Sequence, residues 1–245
     1  MDTRRVATVT GGSRGIGAAV CRALATAGFD IALSYRRQEA EARQVVADCE
    51  SRGARAVAVR ANVSVEAEVR GLFAAAGQLG VVGAVVNNAG VMTPPGRVDT
   101  FTSERLQDLF ATNVTGAFLV AGAAVRALST AHGGSGGVIV NVSSRAAQLG
   151  AAGENVDYAA SKAAIDILTV GLAGEVATEG IRVVGVRPGL IDTDMQPPGR
   201  LDRIGGTPML GRPGTVDEVA AVIAFLVSDG ASYVTGTTVD VSGGR

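Results

Sequence analysis

The sequence predicts an α/β fold, in which a doubly wound parallel sheet of seven strands has helices on both faces. Short β-branched runs alternate with longer alanine-rich stretches of helical periodicity along the whole chain. Several of these runs are apolar at consecutive positions, as expected for parallel strands that helices cover on both sides. No linker, repeat or low-complexity segment divides the chain, so residues 1–245 are predicted to form a single domain.

The elements follow in order from this pattern. Seven apolar runs are predicted strands, at residues 6–9, 31–35, 56–59, 84–87, 138–142, 182–186 and 238–241. The predicted helices lie between them, at residues 15–27, 38–52, 64–77, 103–131, 156–178 and 215–228. Residues 188–214 form the one long irregular stretch, and a loop of that length in a compact domain usually has a function, so a lid over a substrate site is expected.

Composition argues against several classes of function. The net charge is −1 and no block of basic residues occurs, so nucleic-acid binding is not expected. No apolar run reaches the roughly 20 residues of a membrane span, and no signal-peptide pattern follows the first arginines, so no membrane partner is expected either.

The few cysteines and the single histidine narrow the chemistry further. Cys21 and Cys49 are too few for a disulfide framework, which favours a reducing cytoplasm. With His132 as the only histidine, no metal site is expected and a Ser-His-Asp or Cys-His hydrolase is excluded.

The first predicted strand leads into TGGSRGIG at residues 10–17, which opens the first helix. Gly11, Gly15 and Gly17 would provide a tight turn, a close approach of the backbone to a pyrophosphate, and close packing of helix on strand. The helix N-terminus would add free N–H groups and the positive end of a dipole. This position favours a dinucleotide site of the Rossmann type over a merely structural turn.

The end of the second predicted strand indicates which dinucleotide the protein binds. An acidic residue about 20 residues after the glycine turn would hold the ribose 2′-hydroxyl of NAD, but this chain has SYRR at residues 34–37. Arg36 can pair with a 2′-phosphate instead, and Arg14 in the glycine turn can reach the same group. NADP(H) is therefore the predicted cofactor, although surface arginines at a helix start are the alternative.

Six motifs then occur in the order typical of the short-chain dehydrogenase/reductase family. They are TGGSRGIG at 10–17, NNAG at 87–90, Asn113, VSS at 142–144, YAASK at 158–162 and RPG at 187–189. A YxxxK motif alone is common, but the ordered set is specific and covers essentially the whole chain. The sequence therefore resembles this family.

The resemblance implies a catalytic set of Asn113, Ser144, Tyr158 and Lys162. Tyr158 would give a proton to a carbonyl oxygen or take one from an alcohol. Lys162 would lower the pKa of Tyr158 and hold the nicotinamide ribose. Ser144 would hydrogen-bond the substrate oxygen, and Asn113 would support a chain of water molecules to Lys162.

The resemblance also implies a cofactor set, in which Asn88, Ala89 and Gly90 lie along the cofactor and Thr193 contacts the nicotinamide carboxamide. Asn62 stands where an aspartate often contacts adenine. The full set is Gly11, Ser13, Arg14, Gly15, Ile16, Gly17, Tyr35, Arg36, Asn62, Val63, Asn88, Ala89, Gly90, Tyr158, Lys162, Pro188, Gly189, Ile191 and Thr193. No metal is implied.

The chemistry of the residues agrees with these roles. Residues four apart share a helix face, so Tyr158 and Lys162 can flank one reacting centre, and an adjacent ammonium group is expected to lower the pKa of the phenol. Ser144 is preferred over Ser143 as the substrate-binding hydroxyl, because Gly150 then matches the family spacing.

The predicted activity is reduction of a ketone, or oxidation of the matching secondary alcohol, with NADP(H) preferred to NAD(H). Two alternatives remain: a non-catalytic NADP(H)-binding sensor or scaffold on the same fold, and an NAD-dependent sugar or alcohol dehydrogenase. The family also tends to form homodimers and homotetramers through long helices. The substrate is not specified by these motifs; it is expected to depend on the loop at 146–157 and the lid at 188–214.

Overall fold

Seven strands form one parallel sheet in the computed structural model, which describes residues 4–196 and 199–245. In chain order they are β1 (Val6–Val9), β2 (Asp30–Tyr35), β3 (Ala56–Arg60), β4 (Val82–Asn87), β5 (Gly137–Val142), β6 (Ile181–Pro188) and β7 (Thr237–Val241). Across the sheet the order is β3-β2-β1-β4-β5-β6-β7. The strand order reverses between β1 and β4, which is where open α/β sheets bind their ligands. The predicted fold class is confirmed.

Helices cover both faces of this sheet. They are α1 (Gly15–Thr26), α2 (Glu39–Glu50), α3 (Glu66–Leu79), α4 (Ser103–Phe110), α5 (Ala117–Leu128), α6 (Ala146–Leu149), α7 (Val156–Val176), α8 (Arg200–Ile204) and α9 (Val216–Val227). One apolar core packs α1, α2 and α9 on one face, and a second core packs α3, α5 and α7 on the other. Strands with a core on each side explain why the strand runs are apolar at consecutive positions.

The predicted helix at 103–131 is in fact three segments. A π-helical turn at Ala111–Gly116 joins α4 to α5, and α5 ends at Leu128. Gly116 in this turn packs against the loop that joins β3 to α3. A β-carbon on Gly116 would come within 2.7 Å of Val63 Cγ2 in that loop. The residues Ser103–Leu128 are together long and apolar enough to cross a membrane. They nevertheless pack against α3, α7, β4 and β5, as a core helix does.

The predicted lid at 188–214, of which residues 197 and 198 lie outside the described part of the chain, is more ordered elsewhere than an irregular loop. It contains α8, and backbone hydrogen bonds from Asp192 N to Gly214 O and from Gly214 N to Leu190 O, both 2.9 Å, join its two ends. A helix of five residues with only two apolar positions, Leu201 and Ile204, carries too little periodicity to be recognised from sequence, which is why the prediction missed it.

Candidate active site

The turn between β1 and α1 needs its glycines for both conformation and space. Gly11 and Gly15 have φ values of +63° and +52°, which favour glycine. A β-carbon on Gly17 would lie 2.2 Å from Gly11 O. Gly12, which the glycine spacing did not single out, is equally restricted, because a β-carbon there would lie 2.7 Å from Leu33 Cβ.

Thr10 and Asn88 connect this turn to the end of β4. The Thr10 hydroxyl accepts hydrogen bonds from the backbone N–H groups of Asn88 (2.9 Å) and Ala89 (3.0 Å). The Asn88 amide group donates to the carbonyls of Thr10 (2.9 Å) and Gly11 (3.2 Å). Asn88 therefore holds the glycine turn in place, and Thr10, which the sequence prediction omitted, shares that role.

A groove of about 300 Å³ runs along the carboxyl ends of β1, β2 and β4. It brings together fourteen of the predicted cofactor residues: Gly11, Ser13, Arg14, Gly15, Ile16, Gly17, Tyr35, Arg36, Asn62, Val63, Asn88, Ala89, Gly90 and Thr193. The remaining five, Tyr158, Lys162, Pro188, Gly189 and Ile191, line an adjoining pocket of about 90 Å³. Thr112 also lines the groove and was not predicted, since a threonine in a helix gives no signal of its own.

The arginines of the groove differ in their partners. Arg36 and Arg37 are exposed, and neither forms an ion pair with any residue in the described part of the chain. Arg14, by contrast, pairs with Asp194 of the lid. The Asn62 side-chain oxygen accepts from Ser64 N (3.2 Å) and Oγ (2.9 Å), so only its amide N–H groups remain for a ligand.

Lys162 and Tyr158 lie on one face of α7, as their spacing predicted. The Lys162 ammonium donates to Val142 O (2.9 Å) and lies 5.8 Å from the centroid of the Tyr158 ring. Burial lowers the pKa of Lys162 to about 8, although the negative charge of Asp166 acts to raise it.

The pKa of Tyr158 differs from the sequence-based expectation. Burial raises the pKa of this phenol, and the hydrogen bond with Ser144 and the charge of Arg200 only partly oppose that effect. The Lys162 ammonium group hydrogen-bonds the Val142 carbonyl rather than the phenol. The net pKa of Tyr158 is thus raised, where the sequence predicted a lowered one, and the lowering contribution of Lys162 stays a prediction.

The two adjacent serines have separate environments. The Ser143 hydroxyl is buried and donates to Lys162 O (2.9 Å) inside the fold. Ser144 Oγ accepts from Ala146 N (3.1 Å) and lines the substrate-side cavity together with Tyr158. The geometry thus favours Ser144 as the hydroxyl available to a substrate.

Asn113 occupies the π-helical turn and is 1% exposed. Its side chain accepts from Val91 N (2.8 Å) and donates to Val91 O (2.9 Å) and Ser161 Oγ (3.1 Å). It makes no direct hydrogen bond to Lys162. Gly90 lies between them, since a β-carbon there would lie 3.3 Å from Lys162 Nζ and 3.4 Å from Asn113 Oδ1. A π-helical turn is often found at a functional site.

A cavity of about 380 Å³ opens on the other side of Tyr158, between the 146–157 segment and the lid. Its walls include residues that the motifs did not identify, namely Met92, Glu154, Asn155, Met195, Gln196, Arg200 and Ile204. Six of the seven, all but Met92, lie in the two predicted substrate segments, and only that location could have suggested them. Tyr158 and Ser144 line both this cavity and the pocket of about 90 Å³, and that pocket shares Asn88, Gly90 and Thr193 with the groove.

Known proteins share this sequence and this fold. A family model described as short chain dehydrogenase matches residues 5–203. An uncharacterized oxidoreductase of Escherichia coli (strain K12), YgfF, is 46% identical over 245 residues, covering 98% of this chain and 99% of that protein.

Solved structures agree with these sequence matches. A short chain dehydrogenase from Burkholderia cenocepacia J2315 in complex with NADP is 36% identical, with a TM-score of 0.91 over 99% of this chain and 97% of that one. A blue fluorescent protein from a metagenomic library in complex with NADPH is 37% identical, with a TM-score of 0.91 over 100% and 99% of the two chains. The chain belongs to the short-chain dehydrogenase family of oxidoreductases.

Proposed function

We propose that this protein reduces a ketone to a secondary alcohol, or catalyses the reverse reaction, with NADP(H). One observation carries the proposal: Tyr158 and Ser144 line both the substrate-side cavity and the pocket that continues into the nucleotide groove. A carbonyl group in the cavity can therefore reach a proton donor and face the groove at the same time.

The residues of the groove fit NADP(H). The glycine turn leaves no room for side chains at Gly12 and Gly17, which allows a pyrophosphate to approach the backbone at the start of α1. Arg36 and Arg37 supply positive charge at the end of β2, where no carboxylate is present to hold a ribose 2′-hydroxyl. When bound, the nicotinamide would supply or accept the hydride.

The protein's own residues would hold the carbonyl and move the proton. The hydroxyls of Ser144 and Tyr158 would both donate to the carbonyl oxygen, and the Tyr158 proton would pass to it as the alcohol forms. Burial raises the pKa of Tyr158, which keeps the phenol protonated at neutral pH and supports the reductive direction. The Lys162 charge, 5.8 Å from the ring centroid, would stabilise the phenolate until it regains a proton from solvent.

Substituting Tyr158 tests this mechanism. In Tyr158→Phe we expect kcat for NADPH-dependent ketone reduction to fall roughly 100- to 10,000-fold, because the proton donor is lost. NADPH affinity, measured by fluorescence, should stay within about threefold. Tyr233→Phe is the matched control, since Tyr233 is fully exposed and remote from the cavity.

Retained turnover in Tyr158→Phe would refute the mechanism. A wild-type protein that binds NADPH but oxidises it with no carbonyl compound would instead indicate the non-catalytic sensor.

The preference for NADP(H) is tested at Arg36. Because a charge-assisted hydrogen bond is worth about 1.5–3 kcal/mol, Arg36→Asp should weaken NADPH binding roughly 10- to 100-fold and leave NADH binding nearly unchanged. Arg43→Asp is the control, because Arg43 is an exposed arginine of α2 outside the groove. A wild-type preference for NADH, or unchanged NADPH affinity in Arg36→Asp, would contradict the assignment.

The proposal also includes the domain organisation, the cellular compartment and the oligomeric state. Residues 1–245 would act as one domain, with residues 188–214 as the lid of the substrate cavity. The reducing cytoplasm would be the compartment, which the free thiols of Cys21 and Cys49 support. A homodimer or homotetramer would form through α5 and α7, which expose the apolar residues Phe118, Ile167 and Val170.

A further inference from the structure

The substrate-side cavity contains a guanidinium group that the proposed mechanism does not use. Arg200 lies at the start of α8 in the lid and lines the cavity together with Ser144 and Tyr158. Its side chain is only 18% exposed, which is low for an arginine on a helix of five residues. A charge held in this position needs a partner.

The ion pair of Arg200 with Glu154 neutralises the charge of Arg200 only in part. Arg200 Nη2 pairs with Glu154 Oε2 at 2.8 Å, and Arg203 Nη2 pairs with the other oxygen of the same carboxylate at 3.1 Å. Two guanidinium groups therefore share one carboxylate, leaving one positive charge over. Arg145, another cation of the cavity wall, is balanced by Asp240 at 2.8 Å.

The same wall also contains polar atoms without partners. Of the six buried side-chain nitrogen and oxygen atoms that lack a hydrogen bond in the described part of the chain, three belong to this wall: Arg200 Nε, Asn155 Oδ1 and Gln196 Oε1. Buried polar atoms are nearly always paired in folded proteins. A polar ligand that enters the cavity would let these side chains re-pair.

We propose that Arg200 binds a carboxylate on the substrate, so that the substrates are oxo acids and the products the matching hydroxy acids. The inference rests on the proposed ketone reduction and adds the class of substrate to it. A guanidinium group recognises a carboxylate through two parallel N–H···O bonds, which also fixes the orientation of the molecule that carries it.

The same guanidinium acts on the acid/base residue. The charge of Arg200 lowers the pKa of Tyr158 against the effect of burial, which raises it. A carboxylate bound to Arg200 would weaken that effect and leave the phenol more firmly protonated. An oxo acid would thus meet a tyrosine that is better prepared to donate a proton than to accept one.

Matched binding measurements test the proposal in the presence of NADP⁺, which cannot transfer a hydride to a ketone. The probes are acetoacetate with acetoacetamide, and 4-oxopentanoate with its amide, measured by calorimetry on the full chain. We expect wild type to bind at least one carboxylate about tenfold more tightly than its amide, and Arg200→Gln to lose that preference. Glu154→Gln should strengthen it, because the competing carboxylate is removed.

Arg212→Gln is the matched control, since Arg212 lies in the lid but outside the cavity wall and pairs with Glu218. Thermal melts identify any variant that fails to fold. Equal binding of acid and amide by wild type, or a preference that survives in folded Arg200→Gln, would overturn the inference.

Turnover separates this inference from the proposed function. Reduction of neutral ketones with no preference for the acids would leave the proposed function standing and reject the role of Arg200. A carboxylate preference that depends on Arg200, in a protein that turns over no carbonyl compound, would support the role of Arg200 and reject the proposed function.

Discussion

Lys162 is the only lysine of the chain, and it is buried beside the proposed proton donor. Burial lowers its pKa to about 8, so its ammonium group is less stable in the folded protein than in the unfolded chain. Residues that bind or react are often held in such unfavourable surroundings, and the fold provides the compensating stability elsewhere.

This burial predicts a specific dependence of stability on pH. Between the folded pKa of about 8 and an unfolded pKa of about 10.4, the unfolded chain binds more protons than the folded protein, so stability rises with pH in that window. The free energy of unfolding of wild type, relative to Lys162→Met, should rise by roughly 2–3 kcal/mol from about pH 7.5 to about pH 10. Urea denaturation of both proteins measures it.

The other groups that titrate in this range are common to both proteins and cancel in the comparison. A difference that stays constant with pH would show that Lys162 keeps an ordinary pKa in the folded state.

At the scale of elements, the carboxyl ends of the strands and the start of α7 set the geometry of the site. The Asp157 carboxylate accepts from Tyr158 N at 2.9 Å and from Arg105 Nε at 2.8 Å, and Thr93 donates to it at 3.1 Å. These contacts connect α7 to α4 and to the loop that follows β4. The first turn of α7, which carries Tyr158, is thereby held against the rest of the site.

Breaking this connection should cost stability. Asp157→Asn keeps the shape but leaves the partly buried Arg105 without its counter-ion, so we expect a loss of about 3 kcal/mol in the free energy of unfolding at neutral pH. Burial alone would raise the pKa of Asp157, but hydrogen bonds from Arg105, Tyr158 N and Thr93 hold it below its usual value. The stabilisation is therefore present above an unfolded pKa of about 3.9 and is lost as the pH falls through the lower folded pKa.

Urea denaturation at neutral and acidic pH checks this prediction. Asp99→Asn is the control, because its pair with Arg97 is exposed and should change stability by less than about 1 kcal/mol. Equal losses in the two variants would contradict a special role for Asp157.

The sequence pattern was sufficient for the strands, whose observed ends lie within two residues of the predicted ones at 84–87 and 182–186. Continuous apolar runs between glycine-rich turns leave little freedom in that assignment. The π-helical turn was not predictable, because its one-residue widening depends on the contacts of Asn113 and Gly116 rather than on hydrophobic periodicity. The wall of the substrate cavity was missed for a similar reason: Arg200 and Gln196 become neighbours of Tyr158 only when the lid folds back over the sheet.

At the scale of the whole molecule, the side of the sheet that α5 and α7 cover carries exposed apolar side chains. Beyond its core face, α7 exposes Ile167 (73%) and Val170 (54%), and the neighbouring α5 exposes Phe118 (52%). Apolar side chains grouped on two adjacent helices are typical of a surface that packs against another protein.

We expect the protein to self-associate through this surface. Ile167→Glu should shift the protein to a smaller species in light scattering coupled to gel filtration, because a carboxylate would be buried without a partner in the interface. Val81→Glu is the control, since Val81 is similarly exposed (57%) but lies between α3 and β4. A wild-type monomer, or an Ile167→Glu variant of unchanged size, would rule out an interface at α5 and α7.

The paired backbone hydrogen bonds that join Leu190 and Asp192 to Gly214 have a consequence for how this protein can change. They close the lid at its stem, so substitutions between these residues need not alter where β6 ends or where α9 begins. Tyr158, Lys162 and Ser144 all lie outside the segment that the stem encloses. New substrate preferences can thus arise, in evolution or by loop grafting, as an exchange of one cassette while the proton-transfer residues keep their positions.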